Sequence, residues 1–178
     1  MSPGFRTRKR RDPDAEPVTD PDACREAALK LLERSRRTRS DLAQRLADKG
    51  YAAPTIDAVL ERLTAVGLVD DAEYARAFLA GRWGRRPTGW RRLQQELRSR
   101  GVDEADVLAA RSQVEQREGG VDELATARKL LAQAARRYDK LEPRVRSQRL
   151  YALLARRGFD GDVIRRALAL RDDEAGEE

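Results

Sequence analysis

Guanidinium groups are the main chemistry this sequence offers. Basic residues number 37 against 31 acidic ones, a formal charge of +6, and most of the basic ones are arginine. Arginine stays charged at any physiological pH and grips phosphate or carboxylate through a flat fork of N–H donors. The balance favours an anionic partner such as nucleic acid. A GC-rich codon bias would also enrich arginine and alanine and leave isoleucine only at Ile56 and Ile164, as here. Placement must therefore decide what number does not. Other reactive types are scarce. There is no histidine, the commonest general base and metal ligand. Cys24 is the single cysteine, too few for a zinc site or an internal disulfide, and reads as a small packing residue. No glycine-rich phosphate loop is present, and the carboxylates fall at helix starts and on polar faces. No catalytic residue, metal or cofactor is expected, and the chain does not read as an enzyme.

The elements that carry the arginines emerge from a repeat. Leu-x3-Leu-x3-Gly, followed by an apolar residue, occurs three times: Leu42, Leu46, Gly50, Tyr51; Leu93, Leu97, Gly101, Val102; and Leu150, Leu154, Gly158, Phe159. Ile56, Val107 and Ile164 each follow their glycine by the same interval. Leucines four apart share a helix face. The glycine supplies the left-handed residue that ends the helix, and the apolar residue folds back on the last turn. A second helix then starts, with Asp103 as N-cap in the middle copy and Pro54 in the first turn of the first copy. A further amphipathic helix precedes each pair, over 27–33, 74–79 and 124–134; Asp20-Pro21 and Asp70-x-x-Glu73 mark starts. No strand is expected. The linkers are 81–88, 117–120 and 138–143.

The expected fold is all-α: three tandem three-helix repeats forming an elongated, curved array, with each unit too small to bury its stripe without a neighbour. Charged residues are 38% and aromatics 5% of the chain, against roughly 25% charged in a typical domain, which suits narrow stripes better than a deep core. The boundaries read as a disordered basic, proline-containing tail at 1–19, repeats at 20–69, 70–117 and 121–171, and an acidic tail at 172–178. No apolar run approaches the roughly 20 residues of a membrane span, and no secretory leader is evident. A soluble, cytoplasmic monomer is expected.

Helical phase separates the copies by charge. Positions one before and six after the first leucine share a flank at ~100° per residue. They hold Asp41 and Asp48 in the first copy, Arg92 and Ser99 in the second, and Arg149 and Arg156 in the third. The face opposite the leucines holds Arg91 and Arg98 in the second, but Ser40 with Ala47 and Gln148 with Ala155 in the others. Codon bias does not alternate sign between equivalent positions. Arg82, Arg85 and Arg86 extend this basic surface, as do Arg136, Arg137, Arg144 and Arg146. Trp90 reads as core. Trp83 reads as buried, with an interface anchor or base-stacking platform as the alternative.

The run Gly67-Leu-Val-Asp70-Asp71-Ala-Glu-Tyr74-Ala75-Arg-Ala-Phe78-Leu79, continuing to Arg82 and then Gly89, Leu93, Glu96, Leu97, Arg100, Gly101 and Val102, resembles the RecX family over roughly 24–170. Pro87 stands where many members have a glycine or another flexible residue, and the N-terminal extension has no counterpart in the family pattern. The resemblance implies a non-enzymatic modulator of the RecA recombinase in DNA recombination, repair and the SOS response. Such a protein lies along the groove of the RecA–DNA filament, opposes its growth and damps strand exchange and ATP hydrolysis. Tyr74, Phe78, Leu93 and Leu97 are then packing residues, Asp70 a cap and Gly101 a helix stop. Two other readings stay open: a helix-turn-helix DNA-binding protein and a helical scaffold for another partner. Acidic starts of the third helices (Asp57, Glu61; Asp103, Glu104, Asp106; Asp160, Asp162) disfavour the first. Weak, salt-sensitive contact with single- or double-stranded DNA fits the filament reading as well.

Overall fold

The computed structural model describes residues 16–117 and 121–176, with side chains as far as Arg171. Nine α-helices make up the described chain, joined by turns and one isolated backbone bridge. They form three trios: α1 (Pro21–Leu32), α2 (Arg39–Asp48) and α3 (Ala53–Ala65); α4 (Asp71–Ala80), α5 (Trp90–Arg98) and α6 (Glu104–Arg117); α7 (Glu123–Ala135), α8 (Pro143–Arg156) and α9 (Gly161–Gly176). The first trio belongs to one compact unit, residues 1–70, and the other two together form a second, residues 71–178. No described helix is long and apolar enough to cross a membrane.

Local sequence explains the boundaries. Asp20 caps α1 by accepting from the N–H groups of Asp22 and Ala23, at 2.9 and 3.1 Å. Thr38 caps α2 through Asp41 N–H, and Asp122 caps α7 through Ala125 N–H. Asp103 accepts from Ala105 N–H at 2.9 Å at the start of α6, and Pro54 sits in the first turn of α3. All three middle helices end alike. Gly50, Gly101 and Gly158 have φ of 98°, 76° and 83°, a backbone that side chains with a Cβ resist. The next residue's N–H returns to the second leucine's carbonyl: Tyr51 to Leu46, Val102 to Leu97 and Phe159 to Leu154, each at 3.2 Å. These are Schellman closures.

The leucine pairs Leu42/Leu46, Leu93/Leu97 and Leu150/Leu154 are all at most 1% exposed, and Ile56, Val107 and Ile164 lie beside them at 4% or less. Each trio closes its own hydrophobic cluster. This corrects the expectation that a unit cannot bury its stripe alone: three crossing helices present their stripes to one another. Cys24 is fully buried in the first cluster, as a packing residue, and burial pushes its thiol pKa up. Trp83 is 2% exposed in the second cluster, which settles its role as core.

Two chain ends depart from the expected tails. Of 1–19 only 16–19 are described, and there Val18 pairs with the loop after α2, its N–H donating to Gly50 O at 2.8 Å and its carbonyl accepting from Ala52 N–H at 2.9 Å. At the other end α9 runs on through 172–176, where no glycine or proline stops it before Gly176. Residues 1–15, 118–120 and 177–178 lie outside the described chain, and with them most of the basic tail and of the 117–120 linker.

Candidate binding surface

Within the second unit, the start of α5 abuts the end of α8. Gly89 N–H donates to Arg157 O at 2.9 Å and Arg91 N–H to Gly158 O at 3.1 Å. The approach is backbone to backbone. A Cβ on Gly89 would fall 2.5 Å from the Gly158 carbonyl carbon, and one on Gly158 2.5 Å from Arg92 N. Two glycines therefore permit the junction. Arg157 also donates to Pro87 O at 3.4 Å across it.

Beside this junction lies an open groove of about 500 Å³ between the two middle helices. Arg91, Arg92 and Arg156 stand on its rim, Tyr151 lines it with 41% exposure, and Phe159 and Ile164 contribute apolar wall. Three of the arginines singled out by helical phase thus meet around one concavity. Arg149 is seven residues before Arg156 on α8, on the same flank. Both are exposed, and neither has a carboxylate partner among the described residues. Arg91 and Arg92 have internal carboxylates: Arg91 Nε lies 3.2 Å from Asp160, and Arg92 Nε 3.3 Å from Glu96. Both arginines remain more than half exposed, so these surface pairs contribute under about 1 kcal/mol and can be exchanged for an outside anion.

The other basic residues are distributed differently. Arg82 is half-buried, 2.9 Å from Glu96 and with its guanidinium 4.2 Å from the Phe78 ring centroid, so it braces the second trio. Arg98 pairs with Glu104 at the far end of α5. Arg85 and Arg86 are exposed in the loop between α4 and α5. Arg136 and Arg137 follow α7, and Arg144 and Arg146 begin α8. At 1.5 Å per residue, Arg144 lies ~18 Å along α8 from Arg156. None of these four lines the groove, and at ~100° per residue Arg144 and Arg146 lie roughly 120° and 80° round α8 from Arg156.

The signature residues are structural. Ala75, Leu93 and Leu97 are buried, and Tyr74 stacks on Phe78 at 6.4 Å. Tyr74 Oη accepts from Arg100 at 2.8 Å. Glu96 ties Arg82 with one oxygen and Arg92 with the other. Asp70 and Asp71 lie at the start of α4, and Gly101 ends α5. On the first trio, Asp41 of the acidic flank accepts from Arg37 and Arg45 at 2.8 and 2.9 Å. Burial pushes its carboxyl up, but hydrogen bonds and charge from these two guanidiniums outweigh that and hold it below the usual range.

Two groups had no helical-phase signal. Glu123, at the start of α7, accepts through Oε1 from Trp90 N–H at 2.5 Å and from Trp83 Nε1–H at 3.2 Å. Burial raises its pKa, with those hydrogen bonds and the charge of Arg111 opposing the shift. Arg111 places its guanidinium 4.6 Å from the Trp90 ring centroid and 5.3 Å from that of Trp83. The acidic starts of the third helices are taken by capping: Asp103 and Asp160 both accept from the following helix's N–H groups. Exposed Asp57, Glu61, Glu104 and Asp162 would repel a phosphate backbone there.

The fold and surface define a class: an all-helical chain of three tandem three-helix repeats with an arginine-rimmed groove between the second and third. The chain belongs to the RecX family. Residues 24–63, 70–110 and 121–168 match that family's first, second and third three-helix domains respectively. It is 41% identical over 144 residues to "Regulatory protein RecX" of Thermobifida fusca, covering 80% of this chain and 75% of that protein. It is 33% identical over 176 residues to the protein of that name from Streptomyces coelicolor, covering 98% and 92%. The family's domains begin at residue 24, so the N-terminal extension lies outside the family pattern, as expected, although the alignment with the Streptomyces coelicolor protein takes in 98% of the chain. The crystal structure of RecX from Lactobacillus salivarius superposes with a TM-score of 0.73 at 20% identity, over 85% of this chain and 96% of that one, a likeness of fold.

Proposed function

We propose that the chain is a non-enzymatic regulator that binds the RecA nucleoprotein filament along its groove through the basic face of the second and third repeats. Bound there it limits filament growth and lowers RecA's ATP hydrolysis and strand exchange. The observation that carries this reading is the convergence of Arg91, Arg92 and Arg156 on one groove, within a family of regulatory proteins. A filament repeats its phosphates and carboxylates along its length, and Arg149 and Arg156, spaced ~10 Å along one flank of α8, add to the groove's arginines in a way that suits a polymer better than a small anion. Exchangeable surface pairs at Arg91 and Arg92 let the groove trade internal carboxylates for the partner's charge.

The test is RecA's DNA-dependent ATPase with increasing amounts of the purified chain, alongside binding to RecA alone, to free single-stranded DNA and to duplexes at rising salt. Slowed hydrolysis, with only weak and salt-sensitive DNA binding, is the expected result. Unchanged hydrolysis together with preference for particular duplexes overturns the proposal in favour of a DNA reader.

A further inference from the structure

We infer that Glu123 of the third repeat is the positioning residue that holds the second repeat's arginines, Arg91 and Arg92, opposite Arg156. The inference rests on the binding surface proposed above. Helix α5 begins at Gly89, which has no side chain to cap it. Three successive N–H groups at that start go instead to the third repeat: Gly89 to Arg157 O, Trp90 to Glu123 Oε1 and Arg91 to Gly158 O. Only Glu123 among these acceptors is a side chain, and so only it can be removed without touching the backbone.

Its placement also has an electrostatic reason. The helix start carries partial positive charge, and Arg91, Arg92 and Arg111 add three full charges around it. A carboxylate at this point offsets them, and its second bond, from Trp83 Nε1–H at 3.2 Å, anchors it to the core of the second repeat. Arg111 lies over both indoles, and its charge acts on the carboxylate. Even a half-buried carboxylate is a costly way to fill space. What it supplies is direction, since it orients the first turn of α5 and with it the two arginines of the groove. Without it, α5 keeps its leucines in the core, but its first turn loses its lateral tether and the two halves of the groove lose registry.

The experiment is a double-mutant cycle on binding to a RecA filament assembled on a fluorescent single-stranded oligonucleotide with a slowly hydrolysed ATP analogue. Arg91→Ala/Arg92→Ala and Glu123→Ala should each weaken binding roughly tenfold, the loss of two charge contacts. Combined, they should still weaken it only about tenfold, because Glu123 acts through those arginines. Glu123→Gln keeps the acceptor oxygen and should bind within about twofold of the natural chain. A roughly hundredfold loss in the combination, or unchanged affinity in Glu123→Ala, overturns the inference. Unchanged affinity in Arg91→Ala/Arg92→Ala refutes the surface itself. Hydrogen exchange at Gly89, Trp90 and Arg91 then still decides Glu123's role: exchange must quicken in Glu123→Ala, and unaltered rates there sink it. If Glu123→Ala loses helicity, Glu123→Asp, which withdraws the oxygen by one methylene, replaces it in the same cycle.

Discussion

Replacing Gly158 by alanine attacks the junction at its tightest point. Gly158 has φ +83°, and its new Cβ would sit 2.5 Å from Arg92 N, with Arg92's own Cβ also in the way. The left-handed backbone alone costs roughly 1 kcal/mol. Forcing two backbones apart adds roughly 1–3 kcal/mol, so the expected total is about 3 kcal/mol. Gly67 provides the control, with φ +73° and nothing within 4 Å of its Cβ position; Gly67→Ala should cost only the backbone part, roughly 1 kcal/mol. Urea unfolding measures both, by far-ultraviolet circular dichroism for either variant and by indole fluorescence for the junction, since Trp83 and Trp90 are the only tryptophans. With a denaturant slope of about 2 kcal/mol/M, the Gly158→Ala midpoint should fall by about 1.5 M. Equal losses in the two variants would refute the reasoning, because the difference between them is the close approach.

Other outcomes follow from the same geometry. Asp41, held below the ordinary carboxylate range by Arg45 and Arg37, contributes stability that is present above the unfolded pKa of about 3.9 and lost as pH falls through the depressed folded value. Asp41→Asn should therefore be less stable at neutral pH, by about 1 kcal/mol for pairs that solvent still partly screens, and show a weaker acid dependence; identical acid unfolding would count against the pair. Glu123 has the opposite sign. Its raised pKa makes its contribution greatest below the unfolded value of about 4.3 and smaller as pH rises through the folded one. Glu123→Gln should melt at or above the natural chain at pH 7 and lose that part of the pH dependence. Cys24, buried and with its thiol pKa raised, should react with a thiol reagent only after unfolding; rapid labelling of the folded chain would contradict its packing role.

What the sequence showed and what it hid divide by range. The leucine pairs, the left-handed glycines and the caps at Asp20 and Asp103 are local devices, and each left its mark within a few residues. Helical phase also put Arg91, Arg92 and Arg156 on their surface, because a rigid helix converts spacing into direction. The partnership of Glu123 with Trp90, the approach of Gly89 to Gly158 and the bridge from Val18 to the loop after α2 join residues more than thirty positions apart. No periodicity records such meetings. Arg82 and Arg98 illustrate a second limit: composition counts a guanidinium but not the carboxylate it already holds, Glu96 and Glu104 here. The self-contained cores were missed because stripe width was judged helix by helix, whereas three crossing helices cover one another.

In the proposed function, guanidiniums of the second and third repeats act together to hold a charged filament. Its most direct measurement is the affinity of the Arg149→Glu/Arg156→Glu variant for the RecA–single-stranded DNA filament, set beside Asp48→Ala on the first repeat, with helicity verified in both. A loss of at least about tenfold in the first variant and near-natural binding in the second is predicted. Equal affinities in the two variants, with the helices intact, would contradict the account.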